Sequence, residues 1–153
     1  MVRFFGKASG KVDDKGRIVF PAIFRDAMVK EGLEDMTLIV KKNVQQRCLD
    51  VFAYEEWVHR SDKLLEGLDP ELSTDDANFW TKYNEGVYPI VPDGKLGRLN
   101  IPDELLGKAG ITKEVVLSGI GYKLQIWAKE TYEASLMSDE EFKLSAQRHS
   151  VKK

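Results

Sequence analysis

Asp13, Lys15 and Arg17 stand two residues apart around Gly16, in the run Asp13-Asp14-Lys15-Gly16-Arg17-Ile18-Val19-Phe20-Pro21. Lys and Arg on a stiff turn can neutralise phosphates and release the counterions they replace, and an Arg can grip a guanine edge through two hydrogen bonds. A two-stranded ribbon carrying them fits a major groove. The same residues also allow a purely structural use, an Asp13–Arg17 ion pair that only fixes the turn. Lys11 and Arg25 extend the basic set, and Lys95 and Arg98 form a second one further on.

Local chemistry indicates how these side chains are positioned. Asp13 suits the first position of a type I turn, where its carboxylate accepts a nearby backbone N–H. Gly16 falls where a three-residue loop needs positive φ. Arg17 opens a strand that Pro21 closes. A first strand, around Phe4-Phe5 and Ala8 to Val12, is expected to pair with Ile18 to Phe20 across the turn. Pro21 fits the first turn of a helix with Ile23, Phe24, Ala27 and Met28 on its apolar face, ended by Gly32. Thr37 to Val40 and Leu49 to Phe52 read as a hairpin. Its polar tip, Lys41 to Arg47, reads as a solvated loop in preference to a second basic contact.

The signature returns at Gly97-Arg98-Leu99-Asn100-Ile101-Pro102, an offset of 98 − 17 = 81 residues. Each copy continues through a short helical pattern to a glycine and an aliphatic residue (Gly32-Leu33 and Gly110-Ile111), then a strand, then an alternating run before an acidic-aromatic helix start. The chain is a tandem duplication. Asp13, Gly16 and Gly97 are the turn-orienting residues. Between the copies, Trp57, Ser61, Leu64, Leu65 and Leu68 keep helical spacing; Gly67, Asp69 and Pro70 break it, and Ser73 or Thr74 can cap a second helix.

Two copies of Gly-Arg-apolar-x-apolar-Pro in register, the first preceded by Asp-x-Lys, resemble the MraZ family, whose members carry two SpoVT-AbrB type modules. The resemblance runs from about Phe4 to about Leu136. It implies an α+β fold in which two tandem pseudo-equivalent swapped-hairpin β units form one intertwined β-barrel with flanking helices. The corresponding organisation is a first repeat at 4–54, a helical connector at 55–86, a second repeat at 87–133 with a helix to about 137, and a polar tail at 138–153. It further implies a ring-shaped homo-oligomer that binds double-stranded DNA sequence-specifically. Such a protein represses its own division and cell-wall gene cluster, using basic hairpin tips on tandem promoter repeats. DNA contacts then fall on Lys11, Lys15, Arg17 and Arg25, with Lys95 and Arg98 as secondary phosphate contacts.

The second copy departs from the pattern. Asp93-Gly94-Lys95-Leu96-Gly97-Arg98 has one residue more between Asp and Arg, position 94 is Gly, and the counterpart of Arg25 is Leu106. Repeat one therefore reads as the half that recognises DNA and repeat two mainly as scaffold. Two other classes are an AbrB-type antitoxin or protein-binding assembly module, and an enzyme or methyltransferase partner that uses the fold for assembly only.

Bulk properties bound these readings. A chain of 153 residues is long enough for one domain with a sizeable core. A net charge of −2 argues against a generic nucleic-acid coat but leaves room for a local contact. The cations concentrate at the N-terminal end, and the acids at Glu66 to Asp76 and Asp139 to Glu141. No apolar run approaches the ~20 residues of a membrane span. Without a signal peptide and with the single Cys48, a cytoplasmic, nucleoid-associated location is expected. Phosphate loops, zinc spacings, nucleophile elbows and dinucleotide fingerprints are missing. His59 and His149 stand far from any Cys, so no enzyme activity, metal or cofactor is expected.

Overall fold

Both halves of the chain build the same five-element unit. The computed structural model describes residues 1–33 and 35–151. The first half runs β1 (Phe4–Lys11), β2 (Arg17–Val19), α1 (Ala22–Lys30), β3 (Leu38–Lys42) and β4 (Leu49–Ala53). Helices α2 (Tyr54–Glu66) and α3 (Thr74–Asn84) connect it to β5 (Tyr88–Ile90), β6 (Arg98–Asn100), α4 (Asp103–Lys108), β7 (Glu114–Gly121) and β8 (Leu124–Ala128). Helices α5 (Lys129–Ser135) and α6 (Asp139–Val151) follow.

The repeat reaches down to single hydrogen bonds. At the end of α1 the Gly32 N–H donates to the Val29 carbonyl and Leu33 N–H to that of Met28. At the end of α4 Gly110 donates to Gly107 and Ile111 to Leu106. Both are Schellman caps with glycine at positive φ, +74° and +65°. In each, the aliphatic residue after the glycine sits where it can cover the apolar residue that accepts its bond.

The class is α+β, with an antiparallel six-stranded sheet in the order β1-β7-β8-β4-β3-β5 and a two-stranded ribbon, β2-β6. Every pairing between the halves is reciprocal: β1 with β7 and β5 with β3, β2 with β6, β4 with β8. The six-stranded sheet ends at β1 and β5, so strand pairing closes no barrel among the described residues.

One local expectation is corrected. Strand β1 does not fold back onto β2. Its eight residues pair in full register with the eight of β7, from Phe4↔Gly121 to Lys11↔Glu114. A three-residue strand stopped by Pro21 offers too few partners for an eight-residue one, whereas β7 matches it end to end. The connector meets expectation more closely: Ser73 Oγ accepts from the Asp76 N–H at 3.2 Å and starts α3.

The segment after Ser138, read from sequence as a polar tail, is helical through Val151, and its last two residues lie outside the described ones. A capping box explains this. Glu141 N–H donates to Ser138 Oγ at 3.1 Å, and Ser138 N–H donates to the Glu141 carboxylate at 3.3 Å. Asp139 to Glu141 in the first turn and Arg148 and His149 in the last complement the helix dipole.

The main core lies between the ribbon and one face of the sheet. Ile18 and Leu99 from the ribbon, Phe20, Phe24 and Met28, and Val40, Val51, Leu117 and Ile126 from the sheet are all fully buried. Cys48 is buried at the sheet's end, and burial pushes its thiol up to about 12, as fits a small apolar residue. No helix among the described residues is long and apolar enough to cross a membrane.

Candidate nucleic-acid interface

Register decides which side chains share a surface. In the β2-β6 ribbon Arg17 lies opposite Asn100, Ile18 opposite Leu99, and Val19 opposite Arg98. Side chains directly opposite one another point to the same face, and neighbours along a strand alternate. Ile18 and Leu99 face the core at 0% exposure, so Arg17, Val19, Arg98 and Asn100 occupy the outer face together. Arginines from both halves thus stand diagonally across one two-stranded ribbon, with a basic turn beside each.

The first turn is held tightly. Asp13 Oδ1 accepts the backbone N–H groups of Lys15 and Arg17, each at 2.9 Å, and Oδ2 accepts from Arg17 Nε at 2.8 Å. The Arg17 backbone N–H, the largest influence, together with the guanidinium and the Lys15 N–H, holds the Asp13 carboxyl below the usual carboxylate range. Asp13 therefore stays ionised, and its grip on Arg17 is lost only as pH falls through that depressed value. Gly16 donates to the Asp13 carbonyl at 3.0 Å with φ +77°. A Cβ there would come within 3.3 Å of the Ile101 carbonyl oxygen, so packing as well as conformation calls for glycine. Lys15 projects exposed from this turn.

The second turn closes by backbone alone. Asp93 N–H donates to the Arg98 carbonyl at 2.8 Å, and Arg98 N–H donates to that of Asp93 at 2.7 Å. Asp93, not position 94, takes the structural place of Asp13, and the additional residue is absorbed by Gly94 and Gly97, at φ +75° and +64°. No bond forms between the Asp93 and Arg98 side chains among the described residues. Arg98 is half-buried and, among the described residues, unrestrained by an acid, and Lys95 is exposed at the tip.

Arg25 belongs, in space, to the other half. Its guanidinium carbon lies 3.5 Å from where a Cβ on Gly97 would be, and its buried Nε has no hydrogen-bond partner among the described residues. The pseudo-symmetric contact is Leu106 Cδ1, 3.5 Å from a Cβ built on Gly16. Each turn therefore packs on the helix of the opposite repeat, and Arg25 supplies its charge beside Gly97 in the second turn. Lys11 sits at the end of β1 opposite Glu114, next to the first turn but on the large sheet.

The arrangement offers two arginines, two exposed lysines and an asparagine to an anionic, grooved partner. No cluster of His, Cys, Asp and Glu that could hold a metal occurs among the described residues. Proteins similar to this chain over most of its length include one from Bacteroides fragilis, 35% identical over 142 residues that cover 93% of this chain and 87% of the relative. One from Bacteroides thetaiotaomicron is 33% identical over 93% and 88%, and one from Clavibacter michiganensis is 32% identical over 90% and 89%. Each carries the name Transcriptional regulator MraZ. The chain belongs to the MraZ family. A family model described as "MraZ protein, putative antitoxin-like" also matches residues 86–152, the second half with α6.

Within this MraZ chain, sequence reasoning missed the partnership of Arg25 with Gly97, and Val19 and Asn100 on the ribbon's outer face. Alternation from the core residues Ile18 and Leu99 was the available signal for the ribbon. Nothing in the linear sequence signals the exchange of turns between repeats, because it depends on which strands pair.

Proposed function

We propose that the chain is a DNA-binding transcriptional regulator that docks the outer face of the β2-β6 ribbon and its two turns on double-stranded DNA. The observation that carries this reading is the placement of Arg17 and Arg98, from different repeats, on one exposed face. Arg17, aimed by Asp13, is the base-reading side chain. Lys15, Lys95 and Lys11 meet phosphates, and Arg25 steadies the second turn while keeping a donor toward the backbone. Phosphate contacts fix the position of the protein on the duplex and base contacts give specificity. Its role is repression of the chain's own division and cell-wall gene cluster, through tandem repeats in the promoter. The halves act as two intertwined swapped-hairpin units. A footprint on DNA upstream of its own gene tests the reading; protection of no repeat there overturns it.

Affinity should fall steeply with salt. Each phosphate neutralised adds about 0.9 to the slope of log K against log salt, so several engaged protomers give a slope steeper than any one turn can supply. A flat response in a gel-shift titration would mean that the basic turns are not the interface.

The assembly in this reading is a ring-shaped homo-oligomer. Phe5 and Ile120 are cross-strand neighbours and are 68% and 43% exposed, and Phe79 on α3 is 46% exposed. Such surface favours contact between copies, and several protomers on tandem sites multiply affinity through effective concentration. Light scattering is expected to give a species larger than a dimer; a stable monomer at micromolar concentration rules the ring out. A second reading, a protein-binding antitoxin, is favoured by one observation: α6 exposes Phe142 and Leu144. Copurification of a second polypeptide in place of a footprint distinguishes it.

A further inference from the structure

The six-stranded sheet has a second face whose chemistry differs from that of the ribbon. Alternation along β3 and β4 sends Leu38, Val40, Leu49 and Val51 into the main core, and Ile39 and Phe52 into a smaller cluster with Trp57 on the opposite side. Lys41 and Asp50 share that opposite side, directly across from one another, and Gln125 follows on the next strand. Helices α2 and α3 roof it through Trp57 stacked on Tyr83, ring centroids 5.3 Å apart. Between this roof and the β3-β4 tip lies an open cleft of about 350 Å³ lined by Lys41, Lys123 and Arg60, with Asn43, Tyr83 and Tyr122.

The charges in this cleft do not balance. Asp50 is its one lining carboxylate among the described residues, and it is fully engaged: Lys123 Nζ lies at 3.1 Å, Asn43 Nδ2 donates at 3.0 and 3.1 Å, and Gln125 Nε2 donates at 3.2 Å. Arg60 pairs through Nε with Glu56 at 3.1 Å, a carboxylate it shares with Arg3, and lies over the Tyr122 ring at 4.0 Å. Lys41 has no carboxylate partner among the described residues. Its ammonium sits 5.8 Å from the Trp57 ring centroid and 5.6 Å from that of Tyr83. Burial lowers its pKa, with Asp50 opposing and Lys123 and Lys42 adding to the effect. Cation–π contact recovers only part of the hydration that such an ammonium gives up. The neighbouring Lys42 does not line the cleft; its amine donates to the Asn43 and Gln46 carbonyls and closes the tip.

We propose that this cleft binds a phosphate monoester, its dianion held between Lys41, Lys123 and Arg60. Three cations facing one saturated carboxylate call for more than a single negative charge. A tetrahedral phosphate has enough acceptor oxygens to meet an ammonium, a second ammonium and a guanidinium at once, and charge-assisted bonds of this kind are the strong ones. A carboxylate ligand would satisfy two of the three. The rims of Tyr83 and Tyr122 would cover the body that carries the phosphate. The bound group would tie β3, the β7-β8 turn and α2 together. The cleft lies across the sheet from the ribbon, so the inference does not depend on how DNA is bound.

The test titrates the full chain, in phosphate-free buffer, with inorganic phosphate and then with adenosine 5′-monophosphate, followed by two-dimensional NMR. Saturable shifts at Lys41, Lys123 and Arg60 are expected, weakened at least about tenfold in Lys41→Gln. They should be retained in Lys41→Arg and in Lys143→Gln on α6. Tighter binding of the nucleotide than of phosphate would assign a role to the tyrosine rims; equal binding would assign recognition to the phosphate alone. If Lys41→Gln does not fold, Arg60→Gln on the helix surface must show the same weakening. No saturation by ~10 mM of either probe, shifts centred on Lys15 to Arg17, or full affinity in the folded variants overturns the proposal.

Discussion

Arg17→Ala is expected to abolish specific DNA binding while leaving the fold and the assembly intact. Arg17 is the one ribbon arginine whose direction is fixed, by the 2.8 Å bond from its Nε to Asp13. Both partners are about one-third exposed, and ion pairs of that kind are worth about 0–1 kcal/mol to folding. A good bidentate base contact is worth about 1–3 kcal/mol, and the loss recurs in every protomer on the DNA. Binding should therefore fall far more than stability. Arg98→Ala should weaken binding less, because Arg98 has no acid to aim it and the Arg25 guanidinium beside Gly97 leaves a charge at the same turn.

Two further variants separate charge from aim. Arg17→Lys keeps the positive charge but loses the planar fork, so the salt slope should persist while discrimination between sequences drops. Asp13→Ala keeps the guanidinium but frees it, and should also cost specificity before salt dependence. The measurements are binding curves on one operator fragment at several salt concentrations, with circular dichroism and light scattering as controls. If Arg98→Ala is the worse of the two alanine variants, or if Arg17→Ala unfolds, the Asp13–Arg17 pair is structural and repeat one is not the reading half.

Much of this geometry was legible locally. Asp13, Gly16 and Pro21 specify the turn and the strand limits by themselves, and Gly32, Gly110 and Ser73 mark helix ends through their own hydrogen bonds. The pairing of β1 was not legible. Turn chemistry says that the chain reverses at Gly16, but not that the two arms part to different partners. That outcome depends on the length match between β1 and β7 and on space that only glycine leaves. That Arg25 packs beside Gly97 of the other repeat was not legible for the same reason. The helix α6 could have been read from Ser138 and Glu141, three residues apart, had its lack of an apolar face not suggested a tail.

The joint between β1 and β7 sets the second expectation: Gly119→Ala should destabilise the fold by about 3 kcal/mol, at the upper end of the usual cost of overpacking. A Cβ on Gly119 would lie 2.6 Å from the Phe4 carbonyl carbon, 2.7 Å from its oxygen and 2.8 Å from the Phe5 nitrogen. These are backbone atoms of the paired strand, so no rotamer change can relieve the contact; β1 itself must move. Gly119 lies opposite Gly6 within the eight-pair ladder that holds the two halves together, and Phe4 beside it is fully buried in the main core. Displacing β1 therefore opens both the ladder and the core. At about 2–4 °C per kcal/mol for a chain of this size, the melting temperature should drop by roughly 10 °C. Gly10→Ala is the matched control on the same pair of strands. Its Cβ would meet only Val115 and Leu117 side chains at 3.5 and 3.7 Å, which is ordinary contact, so its effect should stay within about 1 kcal/mol. Comparable melting of the two variants would show that β1 does not rest on β7 at Gly119, and the reciprocal pairing of the halves would fall with it.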